Sequence, residues 1–391
     1  MDFIETLGIE NFQCIQSLEL KLTPLHALIG PNDSGKSTIL KAIRIMMALA
    51  SGTLRVENGV GYPVHPEHLS PPYTLRMRLN ENGVMYESTF GTTGNAPGPT
   101  VFPSLESVFF LKERSAVIAQ LLSPGASFSG ADYSLHGRTA LNWSDPSAKA
   151  SDLLKRAAER SYAFLLGGAR FVHPSPEAMR QPARLQNTRA QEFSDERGSG
   201  LAGVLDAVMS QDFENYEAIN RSVKRLFPDV KSLSLPLVGD GIKELRVKLK
   251  DGREVPARNL SEGFLYYVLY TALPLLSPCS ILLIEEPENG LHPSRIAEVM
   301  GILREISKTT QVLIATHSPL VINELQPDEV TLITRPEGQG TRATPMRQTR
   351  NFDERSRIYA LGELWLSYAD GKQETELLAP DEESKAKEPT P

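Results

Sequence analysis

The chain has 391 residues, a length for two to three domains or for one large domain with an insertion at roughly 150 residues per domain. Forty-one Lys and Arg against 48 Asp and Glu give a net charge of −7, with 40% apolar and 23% charged residues. This excludes wholesale disorder and collagen-like or disulfide-rich secreted classes, and it confines any nucleic-acid contact to a local patch. Cys14 and Cys279 lie 265 positions apart, outside any metal-ligand spacing. They read as reduced thiols of a cytoplasmic protein.

The first residues, Met1-Asp2-Phe3-Ile4-Glu5, put no basic stretch ahead of an apolar one, so no signal peptide is expected. Strands are expected at Phe3–Glu10, Ser17–Leu22 and His26–Ile29, a loop at Gly30–Thr38 and a helix at Ile39–Ala50. Tyr73–Asn80 alternates cleanly and turns at Glu81-Asn82-Gly83 into Val84–Phe90, the pattern of a β-hairpin. Gly91–Pro103 and 123–146 read as loop, and Ser147–Leu166 and Leu201–Phe227 as amphipathic helices with a strand at Ala169–Val172 between them. A second hairpin turns at Asp251-Gly252, between 244–250 and Arg253–Ala257. Phe264–Ile284 carries no charge over 21 residues, near the length a bilayer needs, but Pro274 and Pro278 interrupt it. It reads as a buried helix over about 262–273 and a buried strand at Ser280–Ile284, so no membrane span is expected. A helix starts at Pro293, strands come next at Gln311–Ala315, Val330–Thr334 and Thr341–Met346, and a last helix covers Arg357–Ala369. The polar segment 371–391 reads as a disordered acidic tail.

Gly30-Pro31-Asn32-Asp33-Ser34-Gly35-Lys36-Ser37 matches G-x-x-x-x-G-K-[ST], the P-loop. Its glycines let successive N–H groups curl inward at phosphate oxygens, and the next helix, reached through Thr38, adds the positive end of its dipole. Lys36 is placed to reach the β- and γ-phosphates of a nucleotide, and the Ser37 hydroxyl to ligate Mg²⁺. Ile281–Ile284 followed by Glu285-Glu286 is an apolar strand ending in two carboxylates, the form of a Walker B segment. There Glu285 would hold Mg²⁺ and Glu286 would act as general base toward water. Asn259-Leu260-Ser261-Glu262-Gly263 opens the buried helix about 25 residues earlier, with a Ser hydroxyl and a Gly N–H suited to phosphate. Thr316-His317-Ser318-Pro319 sets a histidine directly after a core strand, in reach of a γ-phosphate.

These elements, in this order and with Ile9-Glu10-Asn11-Phe12 near the start, resemble the ABC-type ATPase heads of the RecF/SMC/OLD group. Within it the chain looks most like the stand-alone AAA15/AAA21-type ATPases of bacterial anti-phage defence systems. The resemblance covers about 1–50 and 230–335. It includes Glu285-Glu286-Pro287-Glu288-Asn289-Gly290-Leu291-His292-Pro293 and extends to Gly362-Glu363-Leu364-Trp365 as a closing helix. It implies an α/β P-loop NTPase of ABC/SMC-head type, with an antiparallel β-subdomain and a helical insertion between Walker A and signature. The implied division is 1–50 and 231–370 for the head, 51–230 for the insertion and 371–391 for the tail. It further implies two heads paired head to tail. Each ATP would lie between Gly30, Asn32, Asp33, Ser34, Gly35, Lys36, Ser37 and Thr38 of one chain and Ser261 and Gly263 of the other. Glu286 would be the base, His317 the γ-phosphate sensor and Asn289-Gly290 the D-loop. The signature departs from LSGGQ at Glu262 and Phe264, and Gln120 and Gln181 are the candidates for a Q-loop glutamine.

A transporter subunit is disfavoured because 222 residues, 38–259, separate P-loop and signature, and an SMC or Rad50 reading because that span holds only short helices. The 74 residues after His317 show no acidic DxD cluster of a TOPRIM nuclease. The expectation is a homodimeric ATPase, with ATP and Mg²⁺ as cofactors, that regulates a separately encoded nuclease or toxin. The alternative is a RecF-like DNA-binding repair ATPase. In its favour stand six arginines against three acids in 335–357 and a weaker set at Arg170, Arg180, Arg184, Arg189 and Arg197.

Overall fold

A computed structural model describes residues 2–50, 73–79, 84–93, 100–112, 115–121, 163–164, 167–185, 191–336 and 340–368. The expected loop at 123–146, most of the expected helix at 147–166 and the tail at 371–391 lie outside the described residues.

The central sheet has six strands: β3 (Leu25–Ile29), β8 (Ala169–Val172), β15 (Ile281–Glu285), β16 (Gln311–Thr316), β17 (Val330–Thr334) and β18 (Arg342–Pro345). Their order is β18-β17-β3-β16-β15-β8. All neighbours run parallel except the β17–β18 pair, which is antiparallel. Both faces of this sheet are covered, which is why its strands read as unbroken apolar runs. In β15, Ile281 and Leu283 join one core cluster with Ile39, Ile43 and Met46 of the helix Lys36–Ala50. Leu282 and Ile284 join the other, with Leu265, Leu269 and Met300 from the helices Glu262–Ala272 and Pro293–Ile306. These four β15 side chains are at most 3% exposed, and burial of each contributes roughly 1.5–3 kcal/mol.

A second sheet, in the order β2-β1-β4-β5-β6-β7, is antiparallel throughout. It comprises β1 (Ile4–Phe12), β2 (Ile15–Lys21), β4 (Tyr73–Leu79), β5 (Val84–Thr93), β6 (Thr100–Lys112) and β7 (Ser115–Leu121). Leu7, Ile9, Leu18, Leu20, Leu75 and Met77 turn inward onto the same core as the helix Lys36–Ala50. The two sheets are joined by Gln311, which is fully buried. Its Oε1 accepts from the Ile4 N–H at 2.9 Å, and its Nε2 donates to the carbonyls of Ile4 and Thr23 at 3.0 and 3.2 Å. Two small sheets complete the fold: β10 (Val230–Ser234), β13 (Arg246–Leu249) and β14 (Glu254–Pro256), and β9 (Ala183–Arg184), β11 (Leu237–Gly239) and β12 (Ile242–Lys243).

Four expectations are corrected. Of the loop expected at Gly91–Pro103, 91–93 and 100–103 are strand, and 94–99 lie outside the described residues. The β5–β6 register shifts between Thr89 and Phe90, and Pro103 sits opposite Phe90 at that irregularity, where a proline is tolerated. The helix after the P-loop begins at Lys36 rather than Ile39, because the loop's last residues already turn helically. The helix expected at 201–227 is two, Leu201–Gln211 and Phe213–Leu226. Asp212 has φ −146°, ends the first, and caps the second by accepting from the Asn215 N–H at 3.1 Å. The last helix covers Leu361–Tyr368 and a single turn at Phe352–Arg355 precedes it, so 356–360 are not helical.

Candidate functional site

Five parallel strands end on the same edge of the central sheet, and the residues beyond each carboxyl end face a common cavity or its rim. From β17 to β8 these are Arg335, the Gly30–Ser37 loop, His317, Glu285-Glu286 and His173. Ligands gather outside the carboxyl ends of strands in open parallel sheets, and the cavity here measures about 830 Å³. It is lined by residues 32–38, by Glu285, Glu286 and His173, and by Cys14 and Arg335.

The loop is tightly constrained. A Cβ at Gly30 would lie 2.1 Å from the Ile333 carbonyl oxygen, so only glycine lets the chain leave β3 here. Lys36 Nζ donates to the carbonyls of Gly30 and Pro31 at 2.8 and 2.7 Å, which folds its ammonium back over the loop. Burial pulls the Lys36 pKa down, and the carboxylates of Glu286, Asp33, Glu285 and Glu288 oppose that shift. Ser34 Oγ is buried with no hydrogen-bond partner among the described residues. Gln13 and Cys14, in the turn between β1 and β2, touch Thr38: its Oγ1 donates to Gln13 Oε1 at 3.2 Å and lies 3.4 Å from Cys14 Sγ.

On the other side of the loop stand the carboxylates. Glu286 has φ +48°, left-handed backbone in a non-glycine residue at the end of a strand, a conformation that costs energy and clusters at functional sites. Its Oε2 accepts from Asn289 Nδ2 at 2.6 Å, and its Oε1 lies 3.4 Å from His317 Nδ1. His317 is not itself a wall of the cavity but reaches it through Glu286. Its loop is fixed from two sides. Trp365 Nε1 donates to the His317 carbonyl at 3.1 Å. Thr316 Oγ1 donates to Glu288 Oε1 at 2.6 Å and accepts from the Ser318 N–H. Burial raises the Glu288 pKa, and the Thr316 hydrogen bond opposes this.

The residue that sequence reasoning missed is His173. It lies just past β8, beside β15, and its Nδ1 is 3.2 Å from Glu285 Oε2. The only signal was its position one residue after the expected strand Ala169–Val172. Of the two glutamine candidates, Gln120 lies on β7, and Gln181 donates to the Glu177 carbonyl at 3.4 Å. Gln181 is not among the residues that line the cavity.

Ser261 and Gly263 are also outside this cavity. Ser261 caps the helix Glu262–Ala272 by accepting from the Phe264 N–H. Gly263 packs on Gly290: a Cβ at 263 would lie 2.8 Å from the Gly290 carbonyl oxygen, and one at Gly290, where φ is +66°, would lie 2.3 Å from the Tyr266 ring. The signature helix and the Asn289-Gly290 turn are therefore one packed unit. Of the arginines in 335–357, Arg347 is paired with Asp328 and Arg355 is also engaged.

Glu285 Oε1 is buried and has no hydrogen-bond partner among the described residues, while its other oxygen faces His173. Glu285 and Ser37 both line the cavity, and a carboxylate with one orphaned oxygen together with a hydroxyl suits a hard divalent cation of the Mg²⁺ type.

Residues 25–323, more than three quarters of the chain, match the family described as "AAA domain, putative AbiEii toxin, Type IV TA system". An OLD nuclease of Thermus scotoductus is 32% identical over 80 residues, which span 18% of this chain and 15% of that protein. Among solved structures, the SMC head domain from Thermotoga maritima is 15% identical. It covers 88% of this chain and 98% of its own, with a TM-score of 0.39. An SMC head bound to the C-terminal winged-helix domain of ScpA is 15% identical, with coverage of 88% and 97% and a TM-score of 0.47. Among the described residues no helix is long and apolar enough to cross a membrane.

Proposed function

The chain belongs to this AAA-domain family, and from that premise we propose that it is an ABC/SMC-like P-loop ATPase, which binds ATP at the carboxyl edge of the central sheet and hydrolyses it. The observation that carries the reading is the convergence of the P-loop, the strained Glu286 with Asn289 and His317 on its two oxygens, and His173 on Glu285. In this reading the backbone N–H groups of 32–38 and the Lys36 ammonium hold the β- and γ-phosphates. Ser37 and Glu285 would hold Mg²⁺, which when bound draws negative charge off the phosphate oxygens. Glu286 takes a proton from the attacking water, whose oxygen bonds to the γ-phosphorus as the bond to the β–γ bridging oxygen breaks, leaving ADP and phosphate. His317, close to Glu286, senses the γ-phosphate, and His173 orients Glu285.

Ser261 and Gly263 are set apart from their own chain's P-loop, which supports their use against the nucleotide of a second copy. We therefore read the working unit as a head-to-tail homodimer. The contact of Gly263 with Gly290 then links the signature facing one nucleotide to the turn that holds Glu286 at the other. The family description names a toxin and the OLD relative is a nuclease. On that basis we assign the chain to the control of a separately encoded toxic or nucleolytic effector in anti-phage defence. The division of the chain into a head (1–50 and 231–370) and an insertion (51–230) belongs to the same proposal, and the insertion is where effector contacts are expected.

Glu286→Gln, purified with ATP and Mg²⁺, tests the reading. The expected result is a nucleotide-trapped complex of twice the chain mass, with a second protein co-purifying when it is expressed from its native neighbourhood. A monomer that turns ATP over at the wild-type rate overturns it. Nucleic acid in place of a protein partner, released by salt, favours the DNA-repair alternative.

A further inference from the structure

We propose that Arg335 reads the nucleoside, its guanidinium plane stacking on the purine base of the bound triphosphate. This rests on the nucleotide reading above and concerns the end of the cavity that reading leaves unassigned.

The strand order identifies that end. β16, β15 and β8 lie on one side of β3 and carry His317, Glu285, Glu286 and His173. β17 lies on the other side, in parallel register with β3 through Leu332 and Ile29, and Arg335 is the first residue beyond it. A triphosphate cradled between them, with its γ-phosphate toward Lys36 and Glu286, directs its α-phosphate and nucleoside toward β17. There Arg335 and Cys14 line the cavity.

Three observations select Arg335. First, its side chain is exposed and makes no hydrogen bond or ion pair among the described residues, whereas Arg304 and Arg347 are committed to Glu329 and Asp328. An unpaired guanidinium on a cavity wall is available to a ligand. Second, among the described residues that line the cavity the one aromatic ring is His173, at the β8 end beside Glu285, and no Phe, Tyr or Trp is present. At the β17 end the planar group on offer to a base is the Arg335 guanidinium, which stacks on π-systems as a flat plane where a lysine ammonium is a point charge. Third, its placement relative to the phosphates is fixed. Ile333, two residues earlier, presses its carbonyl against Gly30. Arg342 is paired opposite Thr334, and Thr341 Oγ1 donates to the Ser34 carbonyl at 3.1 Å. The β17–β18 ladder is therefore tied to the loop that holds the phosphates.

The test separates base from phosphate recognition. The full chain and its Arg335→Ala, Arg335→Lys and Arg335→Tyr variants are titrated calorimetrically with ATP and with inorganic tripolyphosphate, each with Mg²⁺. Arg335→Ala should weaken ATP about tenfold, the scale of one lost base stack, and leave tripolyphosphate unchanged. Arg335→Tyr should restore ATP binding and Arg335→Lys should not. Equal weakening of both ligands, rescue by lysine, or wild-type ATP affinity in Arg335→Ala each overturns the proposal. A wild-type chain that binds neither ligand overturns the nucleotide reading and this proposal with it. A chain that binds tripolyphosphate but gains nothing from the nucleoside overturns the proposal alone.

Discussion

The molecule contains two six-stranded sheets that pack on the same core, and they are built on opposite rules. In the central sheet the strands of the β17-β3-β16-β15-β8 run are parallel and covered on both faces, so their side chains serve packing and the chemistry collects where the strands end. In the second sheet the strands are antiparallel, and β1, β2 and β4 turn some side chains to the core and others to the surface, so polar residues lie along the strands themselves. Arg76 and Arg78, for instance, pair with Glu10 and Glu5 across the sheet's outer face. A parallel sheet aligns every strand's carboxyl end on one edge; an antiparallel sheet divides them between two. Only the first places five loops around one cavity.

Substitutions at the central sheet's edge should therefore act on function, those in its interior and at the joint on stability, and those on the second sheet's outer face on neither. The largest effect is expected from Lys36→Ala. Removing the one cation folded over the P-loop leaves the phosphate charge without a partner, and ATP affinity should fall about hundredfold or more in a binding titration. Near-wild-type affinity would break the assignment of this edge. Glu286→Gln comes next: ATP binding retained, with single-turnover hydrolysis slower by about 10²–10⁴.

Inside the central sheet, His26 on β3 is fully buried. The Thr23 hydroxyl donates to the Leu25 carbonyl and so accepts from Nδ1–H, while Nε2 accepts from Thr331 on β17. The site needs a neutral ring, and burial lowers the His26 pKa from 6.5 to about 4, against the opposing field of Glu329. Between those values the unfolded chain binds the proton and the folded chain does not. The contribution to stability is complete above about pH 6.5 and declines as pH falls toward 4, by about 3 kcal/mol in all. Denaturant melts at pH 7 and pH 4.5 should show it, and His26→Gln should flatten that part of the profile. At the joint between the sheets, Gln311→Ala strands one N–H and two carbonyls and should cost about 2 kcal/mol, with ATP affinity unchanged once the protein is folded.

The same contrast explains what could be read from the sequence. Uninterrupted runs such as Ile281–Ile284 and Gln311–Ala315 announced the central sheet, and spacing from Gly30 to Ser37 announced the loop, because a parallel strand and a phosphate cradle each demand particular residue types in sequence. β6 stayed hidden because Pro103 reads as a breaker unless a register irregularity opposite Phe90 is known to receive it. His173 stayed hidden for a different reason, and Arg335, counted among the arginines of 335–357, was not connected with the cavity. Each owes its place to strand neighbours distant in sequence, β15 for His173 and β3 for Arg335, and no local pattern encodes which strands pair.

The smallest expected effect tests the comparison from the second sheet's side. Glu10 Oε1 and Arg76 Nη1 lie 2.6 Å apart, a closer approach than His317 makes to Glu286, and distance alone would rank this pair among the strongest contacts in the molecule. Both side chains are about 40% exposed, however. Water and salt screen their attraction, and ordering two long side chains offsets much of what is left, so exposed pairs of this kind contribute about 0–1 kcal/mol. Glu10→Gln should thus shift the denaturation midpoint by less than about 1 kcal/mol equivalent and leave ATP turnover at the wild-type value. A large loss of turnover would mean that the second sheet's outer face takes part in the reaction cycle, through a partner chain or a second head, and the division of labour between the two sheets would have to be redrawn.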